Sequence, residues 1–182
     1  DKNKIYAYDI GPGNCLIDEW IRKNSKKKYD KDGLIAKSGK IDELILNQAI
    51  ENFTTDYNYE KSLDIKDFDI FFAKGLSLEN GAATITNFTA KLISDGMNFV
   101  NGNKWLVCGG GRKNKYLLEN IKNNLKEFDI NLIDKYEIDG DFIESQAFAF
   151  LAIRSLEGMP ISFPSTTRCN ESITGGIIVE NF

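Results

Sequence analysis

Two short apolar runs in this chain end directly on glycine-rich turns, and each turn leads into a helical pattern. Residues 4–9 (KIYAYD) are aromatic and β-branched and stop at Gly11-Pro12-Gly13-Asn14. Residues 105–108 (WLVC) stop at Gly109-Gly110-Gly111. A strand, a bare-backbone turn and a helix form half of a βαβ unit, and the arrangement occurs twice here. It therefore predicts an α/β fold rather than a bundle or a sandwich.

The remaining periodicity agrees with that class. Apolar residues at helical spacing predict helices over residues 14–23, 41–53, 78–100, 116–128 and 142–156. Ser38 lies near the start of the second of these. The last helix is expected to turn Ile143, Ala147, Phe150 and Leu151 inward. Short strands are expected at residues 130–133 and 177–179, and the stretch 54–70 reads as irregular. The 182 residues are enough for one domain or one lobe of a larger fold.

Composition narrows the chemistry. The chain has no histidine, so it holds no His-dependent triad and no His-ligated zinc. A catalyst built from it relies on carboxylates, hydroxyls, lysines or backbone dipoles. A net charge of −4 argues against a general nucleic-acid binder. The Lys26-Lys27-Lys28 run reads as a solvated face. Cys15, Cys108 and Cys169 are dispersed and odd in number, which fits a reducing cytoplasm better than a disulfide framework. No apolar run approaches the ~18 residues of a membrane span.

The turns carry the candidate chemistry. Asp9 ends the first strand, at the carboxyl edge where open α/β sheets bind ligands. Locally, it reads either as a capping aspartate or as a base, and it repels phosphate unless a cation intervenes. Gly11 and Gly13 let backbone N–H groups approach a phosphate, and the helix start at Asn14 favours an anion. Gly109, Gly110 and Gly111, with Asn114 three residues on, form a second bare turn against which a ring or phosphate can lie. No GK[ST] follows, so this is no Walker A loop. Glu144 falls in the first turn of the last helix, where the helix dipole favours a carboxylate. Asp30, Asp32 and Asp64 read as surface or capping residues.

These segments together resemble the C-terminal half of the anhydro-N-acetylmuramic acid kinases. The resemblance runs in order through YDIGPGNCLIDEWI (8–21), YDKDG (29–33), KSLDIKDFD (61–69), GLSLENGAATITNFTA (75–90), WLVCGGGRKN (105–114), DGDFIESQAFAFLAIRSLEGMPISFPSTT (139–167) and ITGG (173–176). Ser145 stands where that family more often has alanine or glycine. The resemblance implies a ribonuclease H-like lobe of the actin-like ATPase superfamily, with a central mixed sheet flanked by helices. It implies an ATP-dependent reaction, with Mg2+, in which water opens 1,6-anhydro-N-acetylmuramic acid and O6 is phosphorylated during peptidoglycan recycling. By position, Asp9 becomes the general base. Gly11, Gly13 and Asn14 bind the nucleotide's phosphates; Gly109, Gly110, Gly111 and Asn114 line its adenosine end; Glu144 contacts the sugar.

The family's N-terminal SGTSxDGxD phosphate loop is absent from residues 1–182. The expectation is a single C-terminal lobe of a two-lobe kinase, inactive alone and partnered by the missing lobe, with a homodimer possible for the complete enzyme. The small-molecule partners are the sugar and ATP; neither nucleic acid nor membrane is expected. Two other readings stay open: the nucleotide-binding lobe of a related sugar or acetate-type kinase, and a nucleotide-binding module without turnover.

Overall fold

The computed structural model describes residues 5–53, 63–100 and 102–179. Lys4, residues 54–62, and residues 180–182 lie outside them, and so does part of the expected irregular stretch at 54–70.

Seven α-helices and one parallel strand pair are described. Helix α1 (Cys15–Asn24) leads through a 3-10 turn, Lys31–Gly33, into α2 (Leu34–Ser38). Helix α3 spans Glu43–Asn52, and Asp42, not Ser38, caps it by accepting from the Ile45 N–H at 3.0 Å. The expected start at Ile41 is thus two residues early, because the capping carboxylate sits at Asp42.

The long helix α4 (Leu78–Phe99) is the hub of the fold. It packs against α1, α2, α3 and α5 (Lys115–Asn124). Its narrow residues permit this. Helix α2 ends at Gly39, whose position would place a Cβ on the backbone of Glu79. Thr84, Thr86, Thr89 and Ser94 are fully buried alongside Ile85, Phe88 and Leu92. From α1, Leu16, Ile17, Trp20 and Ile21 join this core, and Leu117, Ile121 and Leu125 join it from the α5 region. Burial of such side chains supplies ~1.5–3 kcal/mol each and dominates the stabilisation of a helical layer.

Strand β1 (Lys104–Val107) pairs in parallel with β2 (Asp129–Leu132), with Trp105 opposite Ile130. Side chains alternate across this pair. Trp105, Val107 and Ile130 join the core, whereas Leu106 is 54% exposed on the other face. The expected mixed central sheet is therefore represented here by two parallel strands. One isolated antiparallel bridge, Ser162 with Ile173, lies apart from them. Residues 5–10 form no strand, and Ile5 and Tyr6 are exposed. Residues 177–179 also form none. The apolar content is present in both segments, but a strand exists only when a neighbour pairs with it.

Helix α6 (Ile143–Leu156) departs most from expectation. None of its residues is buried. Phe150 and Ala147, expected inward, are exposed, as are Phe148, Ile153 and Leu156, while Ile143 and Leu151 are only half-buried. Its apolar residues lie on several sides, the pattern of a helix covered all round. Among the described residues no element covers it. The segments on either side of the short helix α7 (Pro164–Thr167) instead meet the C-terminal end of α6. Arg154 donates to the Pro160 carbonyl at 2.7 Å, and Ser155 Oγ donates to the Gly175 carbonyl.

Candidate functional site

The two glycine-rich turns, far apart in sequence, meet at a pair of asparagines. Asn114 Nδ2 donates to Asn14 Oδ1 at 3.2 Å across a separation of 100 residues. Asn114 is buried, and its Oδ1 accepts from the Leu117 N–H at 3.0 Å, which caps α5. One side chain therefore starts α5 and holds the start of α1. The DKDG segment joins the same corner: Lys115 reaches Asp32 at 3.1 Å. Asp30 is a buried capping residue, accepting from the Ile35 and Ala36 N–H groups at 2.8 and 2.9 Å.

The turns differ in how open they are. A Cβ at Gly109, Gly110 or Gly111 would meet nothing within 4 Å, and Gly109 has φ +71°. That backbone is bare and faces free space, as a ligand approaching the main chain requires. Gly13, with φ +57°, is equally open. Gly11 is different, since its missing side chain makes room for Ile93 of α4, 3.3 Å from the Cβ position. Gly11 thus docks the turn on the core.

Two further sequence-based candidates are carboxylates. Asp9 is exposed, and its Oδ2 accepts from the Leu63 N–H at 3.1 Å. Glu144 is exposed in the first turn of α6. Glu144 keeps its expected place at a helix start, whereas the strand expected to end at Asp9 is not formed.

Sequence reasoning passed over Arg112, which is buried beside the glycine turn. It uses every donor of its guanidinium. Nε and Nη2 grip Asp134 at 2.9 and 3.2 Å. Nη1 donates to Asp141 at 2.6 Å and to the Gly109 carbonyl at 3.1 Å, and Nη2 also reaches Asp139 at 3.5 Å. Lys113 adds a second cation, 2.6 Å from Asp141. The DGD spelling of residues 139–141 beside a buried arginine was the available signal, but no local pattern pairs these residues.

These contacts shift the ionisation of the group. Hydrogen bonds from Arg112 first, and from Lys113 second, hold the Asp141 carboxyl down at about 2. Arg112 likewise lowers Asp134, while Asp141 and Asp134 raise the guanidinium further above its ordinary value. A carboxyl depressed in the folded chain stabilises it above the unfolded value of 3.8 and loses that contribution as pH falls toward about 2. Carboxyl-carbon NMR titration should therefore find the Asp141 midpoint near 2. A midpoint at the ordinary ~3.9 would show that the guanidinium does not engage it.

Among the described residues no three histidine, cysteine, aspartate or glutamate side chains could hold a metal ion. The three aspartates around Arg112 are occupied by it. Among the described residues, no helix is long and apolar enough to cross a membrane.

Comparison with known proteins agrees with this arrangement of motifs. The family model described as "Anhydro-N-acetylmuramic acid kinase" matches residues 1–181. A protein of that name from Pelagibacter ubique (strain HTCC1062) is 50% identical over 186 residues, covering 98% of this chain and 50% of the relative. Its namesake from Methylorubrum populi is 38% identical over 178 residues, covering 97% of this chain and 47% of the relative. The Rhodospirillum rubrum namesake is 38% identical over 172 residues, covering 93% of this chain and 46% of the relative. The chain thus spans about half the length of the curated relatives it matches. With a match along almost its whole length, the chain belongs to the anhydro-N-acetylmuramic acid kinase family.

Proposed function

We propose that the complete protein is an ATP-dependent kinase that opens 1,6-anhydro-N-acetylmuramic acid with water and phosphorylates O6. On this reading, the chain supplies the C-terminal, ribonuclease H-like lobe, and a lobe carrying the phosphate loop completes the site. The observation that carries the reading is the joined pair of glycine turns, in a chain whose relatives bear that kinase name.

Each residue has a role set by its place. Asp9 takes a proton from water as the water attacks the anomeric carbon. The anhydro bond between that carbon and O6 breaks, and the departing O6 attacks the γ-phosphorus, breaking its bond to the β,γ-bridging oxygen so that ADP leaves. A placed carboxylate contributes ~10²–10⁴-fold to such a step. The open backbone at Gly13 and Asn14 receives the phosphates. Gly11 acts indirectly, by seating that turn on α4. The bare turn at Gly109, Gly110 and Gly111 receives the adenosine end, with Asn114 fixing its position. Glu144 orients the sugar. Mg2+ is proposed as the companion of ATP; among the described residues no three cysteine, aspartate or glutamate side chains form a cage for it.

The bare state of α6 also supports a second lobe. A helix with apolar residues on several sides and none buried calls for a further layer, and the relatives are about twice as long. Catalysis of phosphoryl transfer is mostly positioning and charge neutralisation, so half a cleft is expected to be inactive.

The test is product mass after incubation with the anhydro sugar, MgATP and 18O-labelled water. The complete protein should yield a sugar phosphate carrying one 18O, and the isolated chain none. No phosphorylated sugar from the complete protein would overturn the reading. Label in phosphate rather than in the sugar would overturn the proposed attack of water on carbon.

A further inference from the structure

We propose that Arg112 is a positioning residue that locks the glycine turn at 109–111 to the Asp139-Gly140-Asp141 turn launching α6, so that both turns move as one body. The inference rests on the function proposed above, in which the first turn takes the nucleotide and Glu144 at the head of α6 takes the sugar.

The geometry is specific to arginine. All five guanidinium N–H donors are engaged, by Asp134, Asp139, Asp141 and the Gly109 carbonyl. A planar five-donor fork can satisfy such a set, whereas lysine offers three donors on one point. The backbone adds a direct link, since the Gly109 N–H donates to the Gly140 carbonyl at 3.1 Å. Gly140 is what lets the fork lie flat: a Cβ there would overlap Arg112 Nε and sit 2.8 Å from Cδ. Asp141 then turns the chain into α6, its own N–H held by Asp139 Oδ1 at 2.9 Å. Three residues beyond Asp141 stands Glu144. Lys113 adds one ion pair to Asp141 at 2.6 Å, and α6 itself buries nothing, so the start of α6 is held by these turn contacts.

Three carboxylates face two cations, Arg112 and Lys113, so the cluster keeps one negative charge in excess. Losing Arg112 leaves those carboxylates repelling one another across the gap between the turns. The expected result is separation of the turns rather than collapse of the core, which lies on α1, α4 and α5.

The experiment compares Arg112→Ala, Arg112→Lys and Gly140→Ala in the complete protein. Gly140→Ala keeps every charge and only displaces the fork. In all three, KM for ATP and KM for the sugar should rise together, by about tenfold or more, since a displacement near 1 Å can cost ~10²-fold. Amide exchange at residues 109–112 and 139–142 should quicken together. Both KM values at wild-type level, with only the yield or melting temperature lowered, would overturn the proposal, because loss of active protein does not change KM. A shift in one KM alone, or full rescue by lysine, would overturn it too. Should the wild-type protein turn over no anhydro sugar, the kinase reading fails. The exchange data then decide the lock alone: faster exchange in both turns upholds it, and in one turn only rejects it. If Arg112→Ala does not fold, Asp141→Asn, which removes one arm of the fork, carries the same readouts.

Discussion

Replacing Asp9 by asparagine in the complete protein should lower kcat by about 10²–10⁴-fold and leave ATP affinity close to that of wild type. The side chains are nearly the same shape, but the amide cannot accept a proton from water. The Leu63 N–H that Asp9 Oδ2 accepts can still be received by the amide oxygen, so that hydrogen bond is kept. The effect therefore falls on the chemical step and not on binding. Measured kcat and a separate ATP titration check this. An Asp9→Asn protein with kcat within a few-fold of wild type would end the assignment of Asp9 as base. Loss of both kcat and ATP binding would recast Asp9 as part of the phosphate or metal environment.

The largest stability effect is expected at Trp20. Its side chain is 4% exposed between α1 and α4, and its Nε1 donates to the Leu78 carbonyl at 2.9 Å. The indole packs against Gly81, where a Cβ would overlap Trp20 Cζ2 and Cε2. Trp20→Ala removes a ring for which α4 was shaped, and it strips a partner from a carbonyl at the start of that helix. Large-to-small changes of this kind cost about 3–5 kcal/mol, against a total of roughly 5–15 kcal/mol for a typical domain. Urea unfolding should show a large drop in midpoint, or no folded state at all. A loss below about 1 kcal/mol would mean that the α1–α4 contact is not the centre of the core. Lysine or glutamate changes on exposed faces, such as Lys26 to Lys28, should fall within about 0.5 kcal/mol.

Much of the site could be read from the chain. The glycine turn after β1 and the place of Glu144 at the start of α6 follow from local pattern, because a glycine run after an apolar strand and a carboxylate at a helix start are short-range signals. The strand expected before Asp9 is not formed. What those patterns omit is which turn meets which. Asn14 and Asn114 read separately as residues beside two turns; only the folded chain makes them one hydrogen-bonded pair. Gly11 reads as a phosphate-facing glycine, yet its missing Cβ makes room for Ile93. Arg112 reads as one basic residue in GGGRKN, and its partners lie 22 to 29 residues away.

By itself, the sequence determined the α/β class, the order of the five longer helices, the lack of any histidine in these 182 residues and the family. Each of these depends on neighbours within a few residues or on residue type alone. Tertiary structure decided the rest. Residues 5–10 have strand composition but no ladder, because strand formation needs a partner's N–H and C=O groups. Helix α6 forms where its periodicity places it, yet its apolar side chains stay uncovered, because periodicity creates a helix while burial requires a second surface. The Arg112 fork exists only where Gly140 lets a guanidinium lie against the backbone between carboxylates distant in the chain, a coincidence in space that no local pattern encodes.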